Sequence, residues 1–139
     1  MIKISHRGNL YGADRTKENH PDYIKKAMIS GYQVEIDVWC IDNKYYLGHD
    51  NPDYQVEKSF LSDKMLWCHA KNKDALFEMM KSSDIHCFWH QEDNYTITSK
   101  GVVWVYPGVD PIPGSVVVCD KKIPNGKFSG VCSDYIGYF

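Results

Sequence analysis

Hydrophobic and polar positions change period several times along the chain, and each change marks an element. Ile2 to His6 reads as a short strand. From Glu18 to Gly31, Tyr23, Ile24, Ala27 and Met28 recur at helical spacing, with Pro21 fitting the first turn and Gly31 the terminator. Gln33 to Cys40 returns to a strand pattern. Asp42-Asn43 then predicts a turn, with Tyr45 to Leu47 returning as a hairpin. Asn51 to Lys64 is polar and irregular. Met65 to Ala70 predicts the next strand, and Asn72 to Ser82 a second helix, with Ala75, Leu76, Met79 and Met80 on one face and Asn72 as its cap. Ile85 to His90, Tyr95 to Thr98, Val102 to Tyr106, Val116 to Cys119 and Gly130 to Asp134 complete the set of strands. The segments VVWVY and SVVVC are apolar without alternation, as in parallel strands covered on both faces.

The succession strand–helix–strand–strand–helix–strand, followed by short strands, is of α/β type. A chain of 139 residues fits a single domain. Hydrophobic residues are 43% and charged residues 24%, which excludes a disordered chain. A net charge of -2 gives no basic footprint for nucleic acid. No apolar run is long enough to predict a membrane span, and the start MIKISHRG lacks a signal-peptide apolar region. Cys40, Cys68, Cys87, Cys119 and Cys132 are widely spaced without a CxxC, which reads as buried thiols in a reducing compartment. The expected location is therefore cytoplasmic.

Polar residues of a particular kind gather at the strand ends. His6 and Arg7 close the first strand. Glu35 and Asp37 are two apart within Val34, Ile36 and Val38, so they share one strand face. Two carboxylates this close repel unless a cation or a proton lies between them, and a hard divalent metal matches their oxygens. The alternative is the wet face of an edge strand. His49-Asp50 follows the hairpin, and His69 and Lys71 are again two apart at a strand end. Strands ending in His, Asp, Glu, Arg and Lys predict one polar mouth, as at the C-terminal ends of barrel strands. His90 follows one strand and Asp134 ends another, so both are candidates for lining that mouth. His20 and His86 read as structural or exposed.

His6-Arg7-Gly8, Glu18-Asn19, Glu35-Ile36-Asp37-Val38 and His49-Asp50 resemble, in order and spacing, the first third of the glycerophosphodiester phosphodiesterases. Gly130 to Tyr135 resembles that family's last strand, and the phospholipase D toxins sharing the core are more distantly similar. The resemblance implies a metal-dependent enzyme that cleaves phosphodiesters. It makes His6 and His49 the general acid and base, Glu35 and Asp37 metal ligands, and Arg7 and Lys71 phosphate ligands. Glu18 would orient Arg7, and Asn9 would reach phosphate or metal. The substrate's adjacent hydroxyl would attack to give a cyclic phosphate, with attack by water the alternative. The implied partner is a small phosphodiester or a lysolipid.

One position departs from the family pattern. A carboxylate ligand followed two residues later by lysine is matched here by His69-Ala70-Lys71. The resemblance implies Mg²⁺ or Ca²⁺, whereas imidazole suits Mn²⁺, Zn²⁺ or Fe²⁺ better. Either the metal differs, or His69 contacts only substrate. A catalytically inactive phosphodiester- or phospholipid-binding module is the competing expectation, and His69 is its motive.

The implied fold is a minimal TIM-barrel-like (β/α) fold with reduced outer helices, incomplete or distorted. Such a barrel typically takes about 250 residues. Eight strands of about five residues would leave links of about 14 residues, against a minimum of about 10–12 for a helical crossover. Thr98 to Val102 is too short for one. Two helices early and loops later are expected, and missing outer helices would favour a homo-oligomer that covers exposed strand faces.

Overall fold

A computed structural model describes all 139 residues. The strands are β1 (Ile2–His6), β2 (Gln33–Ile41), β3 (Lys44–Leu47), β4 (Tyr54–Val56) and β5 (Leu66–Ala70), followed by β6 (Cys87–Phe88), β7 (Tyr95–Ile97), β8 (Val103–Val105), β9 (Val116–Val118) and β10 (Gly130–Ser133). The helices are α1 (Pro21–Ile29), α2 (Lys58–Leu61) and α3 (Lys73–Met80), and a 3-10 turn closes the chain at Ile136–Tyr138.

All ten strands form one mixed sheet. Its parallel run has the order β6, β5, β2, β1, β10, β9, β8. β3 and β4 add antiparallel strands beside the far end of β2, and β7 is antiparallel to β8. The TIM-barrel-like (β/α) expectation is therefore corrected: this is a mixed ten-stranded sheet with three short helices, and it has no outer helical ring. The physical reason lies in the links. β6 is two residues long, β8 follows β7 after only Thr98–Val102, and nothing between β6 and β10 is helical. Without crossover helices, the second half of the sheet is connected by turns and loops.

The sheet is nevertheless strongly curled. Trp104 of β8 packs on Phe88 of β6 and on Trp67 of β5, with ring centroids 4.7 and 5.6 Å apart. Strands so far apart in the sheet order would lie roughly 20 Å or more from each other if flat. Ser99 N donates to Cys87 O at 2.8 Å, so the return from β7 abuts β6 without forming a ladder.

The strand period sorts residues onto the two faces. Val34, Ile36 and Val38 join Leu66, Cys68 and Ala70 in a buried cluster with Ile24 and Ala27 of α1 and Ala75 and Met79 of α3. Glu35 and Asp37, between them in sequence, are turned to the opposite face, where Ile4, Trp67, Phe88, Trp104, Val116 and Cys132 form the apolar floor. Four cysteines are buried and Cys119 half-buried, all as free thiols.

Local chemistry sets the helix ends. Pro21 occupies the first turn of α1, and the His20 ring accepts from Asp22 N at 3.1 Å. Gly31 follows α1 with φ +90°, the left-handed conformation that glycine allows. Asn72 caps α3 by accepting from Ala75 N at 3.0 Å. It also donates to Cys40 O and accepts from Cys40 N, which pins α3 to β2. The predicted irregular stretch Asn51 to Lys64 contains β4 and α2, elements too short to show a period. No helix is long and apolar enough to cross a membrane.

Candidate metal and phosphate site

The parallel register brings the candidate residues to one end of the curled sheet. His6 is paired with Glu35, and Asp37 with His69. Both carboxylates are buried, Asp37 completely. His69 Nδ1 lies 3.4 Å from Asp37 Oδ1 and 3.6 Å from Glu35 Oε1. One ligand atom from each of the three residues falls within 4.8 Å of the others.

Asp37 uses its two oxygens differently. Oδ2 accepts from Asn19 Nδ2 at 2.9 Å and faces Arg7 Nε at 2.9 Å and His49 Nδ1 at 3.5 Å. Oδ1 has no hydrogen bond, with Lys71 Nζ at 3.9 Å and His69 beside it. Glu35 Oε2 also has none, and His6 Nε2 is 3.6 Å away. Leaving a buried acceptor unpaired costs about 1–3 kcal/mol, and more for a charged one. Two such atoms, one beside the His69 imidazole and one beside that of His6, belong to a donor set suited to a cation.

Burial opposes ionisation of Asp37, but His49, His69 and Arg7 hold its carboxyl well below the usual range. His69 is the converse: burial alone would lower its pKa, yet Asp37 and Glu35 raise it to about 9. These directions express one fact, that the pocket demands positive charge between the carboxylates.

His6 is held from behind. Its Nδ1 meets Asp134 Oδ1 at 2.9 Å. A carboxylate accepts only, so Nδ1 carries the proton and Nε2 turns toward Glu35. Burial works to lower the His6 pKa, but Asp134 and Glu35 leave it raised. Asn9 donates to Asp134 Oδ1 at 2.8 Å and to Glu18 Oε1 at 3.0 Å, and its oxygen accepts from Asp14 N and Tyr23 Oη. Its amide is thus engaged in aligning neighbours rather than directed at the cluster. Glu18 Oε2 accepts from Arg7 Nη1 at 3.4 Å.

The backbone is strained where it carries the site. Arg7 and Asn19 adopt φ +58° and +63°, and Asn19 N donates to Arg7 O at 3.0 Å. His49 arrives by the hairpin: Gly48 N donates to Asp37 O, and the Trp39 indole donates to Gly48 O at 2.7 Å. His49 is 42% exposed, at the rim. Beyond it opens a cleft of about 230 Å³ lined by Arg7, Arg15, His49, Asp50, Asp53 and other polar groups, with Tyr54 the one apolar wall.

His90 takes part through its backbone. Its carbonyl accepts from His69 Nε2 at 2.7 Å, while its own ring meets Asp93 O. His20 and His86 lie away from the cluster, capping α1 and bonding Thr98 Oγ1 respectively. Three contributors escaped sequence reasoning. Asn19 lay inside a matched motif without a role, and its left-handed backbone, which asparagine tolerates, was the available signal. The His90 carbonyl and the Arg15 side of the cleft left no sequence signal. Comparison with protein-family models, with curated proteins and with solved structures finds no match for this chain.

Proposed function

We propose that this chain is a metal-dependent phosphodiesterase that cleaves a glycerophosphodiester-type substrate by acid–base catalysis between His6 and His49. One observation carries it: two buried carboxylate oxygens have no hydrogen bond, Asp37 Oδ1 facing His69 Nδ1 and Glu35 Oε2 facing His6 Nε2, while His49, Arg7 and Lys71 stand around the same carboxylates. The ordered motifs that resemble the glycerophosphodiester phosphodiesterases support the same chemistry.

Glu35, Asp37 and His69 would hold a divalent cation. When bound, that cation supplies positive charge against the charge developing on the phosphate. Arg7 and Lys71 bind the non-bridging phosphate oxygens and share that task. His6 Nε2 takes the proton of the attacking hydroxyl, and Asp134 stabilises the resulting imidazolium. The new P–O bond forms as the bond to the leaving alcohol breaks, and His49, at the rim, returns a proton to that alcohol. A hydroxyl adjacent to the phosphate is the nucleophile favoured by proximity, giving a cyclic phosphate.

The cleft beyond His49 favours a small hydrophilic alcohol over an acyl chain. It is smaller than the roughly 300–1,000 Å³ of typical ligand pockets, and it is polar.

The test is turnover of glycerophosphocholine and bis-p-nitrophenyl phosphate by protein stripped of metal and reloaded, with products followed by phosphorus NMR. Cation-dependent turnover is expected, with His6→Ala and His49→Ala each slowed at least about 10²-fold while still binding the cation. Full activity in a Glu35→Ala/Asp37→Ala double variant, or substrate binding without turnover, would overturn the assignment.

A further inference from the structure

His69 divides the divalent cations into two classes. We infer that the Glu35–Asp37–His69 cluster selects a cation of the Mn²⁺-to-Zn²⁺ series over Mg²⁺ and Ca²⁺, with His69 Nδ1 as the nitrogen ligand and the His90 carbonyl as the group that turns it inward. The selection rests on the metal-dependent chemistry proposed above, but it is tested without turnover.

The tautomer follows from the His90 contact. His69 Nε2 lies 2.7 Å from His90 O and 3.4 Å from His90 N; the much shorter contact is to a carbonyl, which only accepts, so Nε2 carries the hydrogen. In the neutral ring the lone pair then sits on Nδ1, which faces both carboxylates. Imidazole ligands of metals are commonly fixed by such a bond from their other nitrogen to a backbone carbonyl. The ring plane is set as well: His69 stacks on Phe88 with an interplanar angle of 8° and centroids 5.1 Å apart.

The spacing suits two ligands sharing one ion, and the donor types choose among ions. Nδ1 is 3.4 Å from Asp37 Oδ1 and 3.6 Å from Glu35 Oε1. Two ligands on one ion at bonds of about 2.0–2.2 Å and a near-tetrahedral angle lie about 3.3–3.6 Å apart. Ca²⁺ takes 6–8 oxygens, and Mg²⁺ is an oxygen-seeking ion that dehydrates reluctantly. The charged side chains facing the two carboxylates are nitrogen groups (His6, Arg7, Lys71 and His49), and the Asn19 oxygen is taken up by Asp37 N. One imidazole with two carboxylates matches the ligand preference of later first-row ions. Nδ1 is directed at both carboxylates rather than at the cleft, which sets it against the alternative that His69 contacts only substrate.

The experiment uses the full chain stripped with a chelator and titrated calorimetrically with Zn²⁺, Mn²⁺, Mg²⁺ and Ca²⁺. Zn²⁺ is expected to bind most tightly and Mn²⁺ next, both at least about 10²-fold tighter than Mg²⁺ or Ca²⁺. His69→Asp is expected to narrow the Zn²⁺-to-Mg²⁺ ratio at least about tenfold. Nitrogen-15 NMR of the wild-type chain with Zn²⁺ reads the assignment directly and does not depend on the variant folding. Nδ1 should shift on loading while Nε2 stays protonated. Equal affinity for Zn²⁺ and Mg²⁺, or no change at Nδ1 on loading, would overturn the inference. Selective Zn²⁺ binding without any phosphodiesterase activity would instead remove the enzymatic proposal and leave this one standing.

Discussion

Asn19 grips Asp37 from two directions. Its Nδ2 donates to Asp37 Oδ2 and its Oδ1 accepts from Asp37 N, both at 2.9 Å, with both residues buried. The pair fixes the Asp37 carboxylate so that Oδ1, the oxygen without a hydrogen bond, faces the cluster. Asn19→Ala should therefore weaken metal binding about 10–100-fold, the usual loss when a ligand's supporting contact is removed. It should also destabilise the fold by about 1–3 kcal/mol, because the Asp37 N–H loses its partner. Calorimetric metal titration and urea unfolding read the two effects separately.

Asp134 contacts His6 and not the Glu35–Asp37–His69 cluster. Asp134→Asn removes the charge that stabilises a His6 imidazolium and lets the ring adopt the other tautomer. Turnover should fall about 10²–10⁴-fold with metal affinity unchanged. An equal loss of metal affinity would place Asp134 among the metal ligands instead.

Gly48 determines where His49 sits. A Cβ at position 48 would lie 1.8 Å from Asn51 O, at φ +156°. Gly48→Ala should displace the turn that carries His49, costing at least about 1 kcal/mol in stability. Turnover should be lost while metal binding, held by β2 and β5, remains. Wild-type turnover in this variant would remove His49 from the chemistry.

His86 predicts a pH dependence of stability away from the site. Burial lowers its pKa from 6.5 to about 4, with Lys100 adding to the effect, while its ring contacts Thr98 Oγ1 and Trp67. The unfolded chain therefore takes up a proton at a higher pH than the folded one. This contribution to stability is complete above pH 6.5 and is lost as pH falls toward about 4. The slope is at most about 1.4 kcal/mol per pH unit in that window. His86→Gln, which keeps a partner for Thr98, should flatten the fall in melting temperature between those limits. An unchanged slope would assign the acid sensitivity to other groups.

Strand period alone placed Glu35 and Asp37 on one face, because successive side chains on a strand alternate whatever the sheet later does. The same local rules located the turn at Asp42-Asn43 and the cap at Asn72, each a matter of a few neighbouring residues, whereas the first helix starts at Pro21 and not at the expected Glu18. His69 and Lys71 were legible for the same reason. Closure of the sheet was not. Whether β6 pairs with β8 depends on links that pass between distant parts of the chain, and their length excluded helices without saying what would replace them. The Trp67–Trp104 and Phe88–Trp104 contacts that curl the sheet join residues 37 and 16 positions apart, and no periodicity records such meetings. The site divides in the same way. The residue types of the cluster are set by sequence, whereas the orphaned Asp37 Oδ1, the tautomer imposed by the His90 carbonyl and the grip of Asn19 exist only once β1, β2 and β5 are in register. Local sequence determines which face a side chain takes. Tertiary packing determines which atoms on that face are left without partners, and here those atoms define the site.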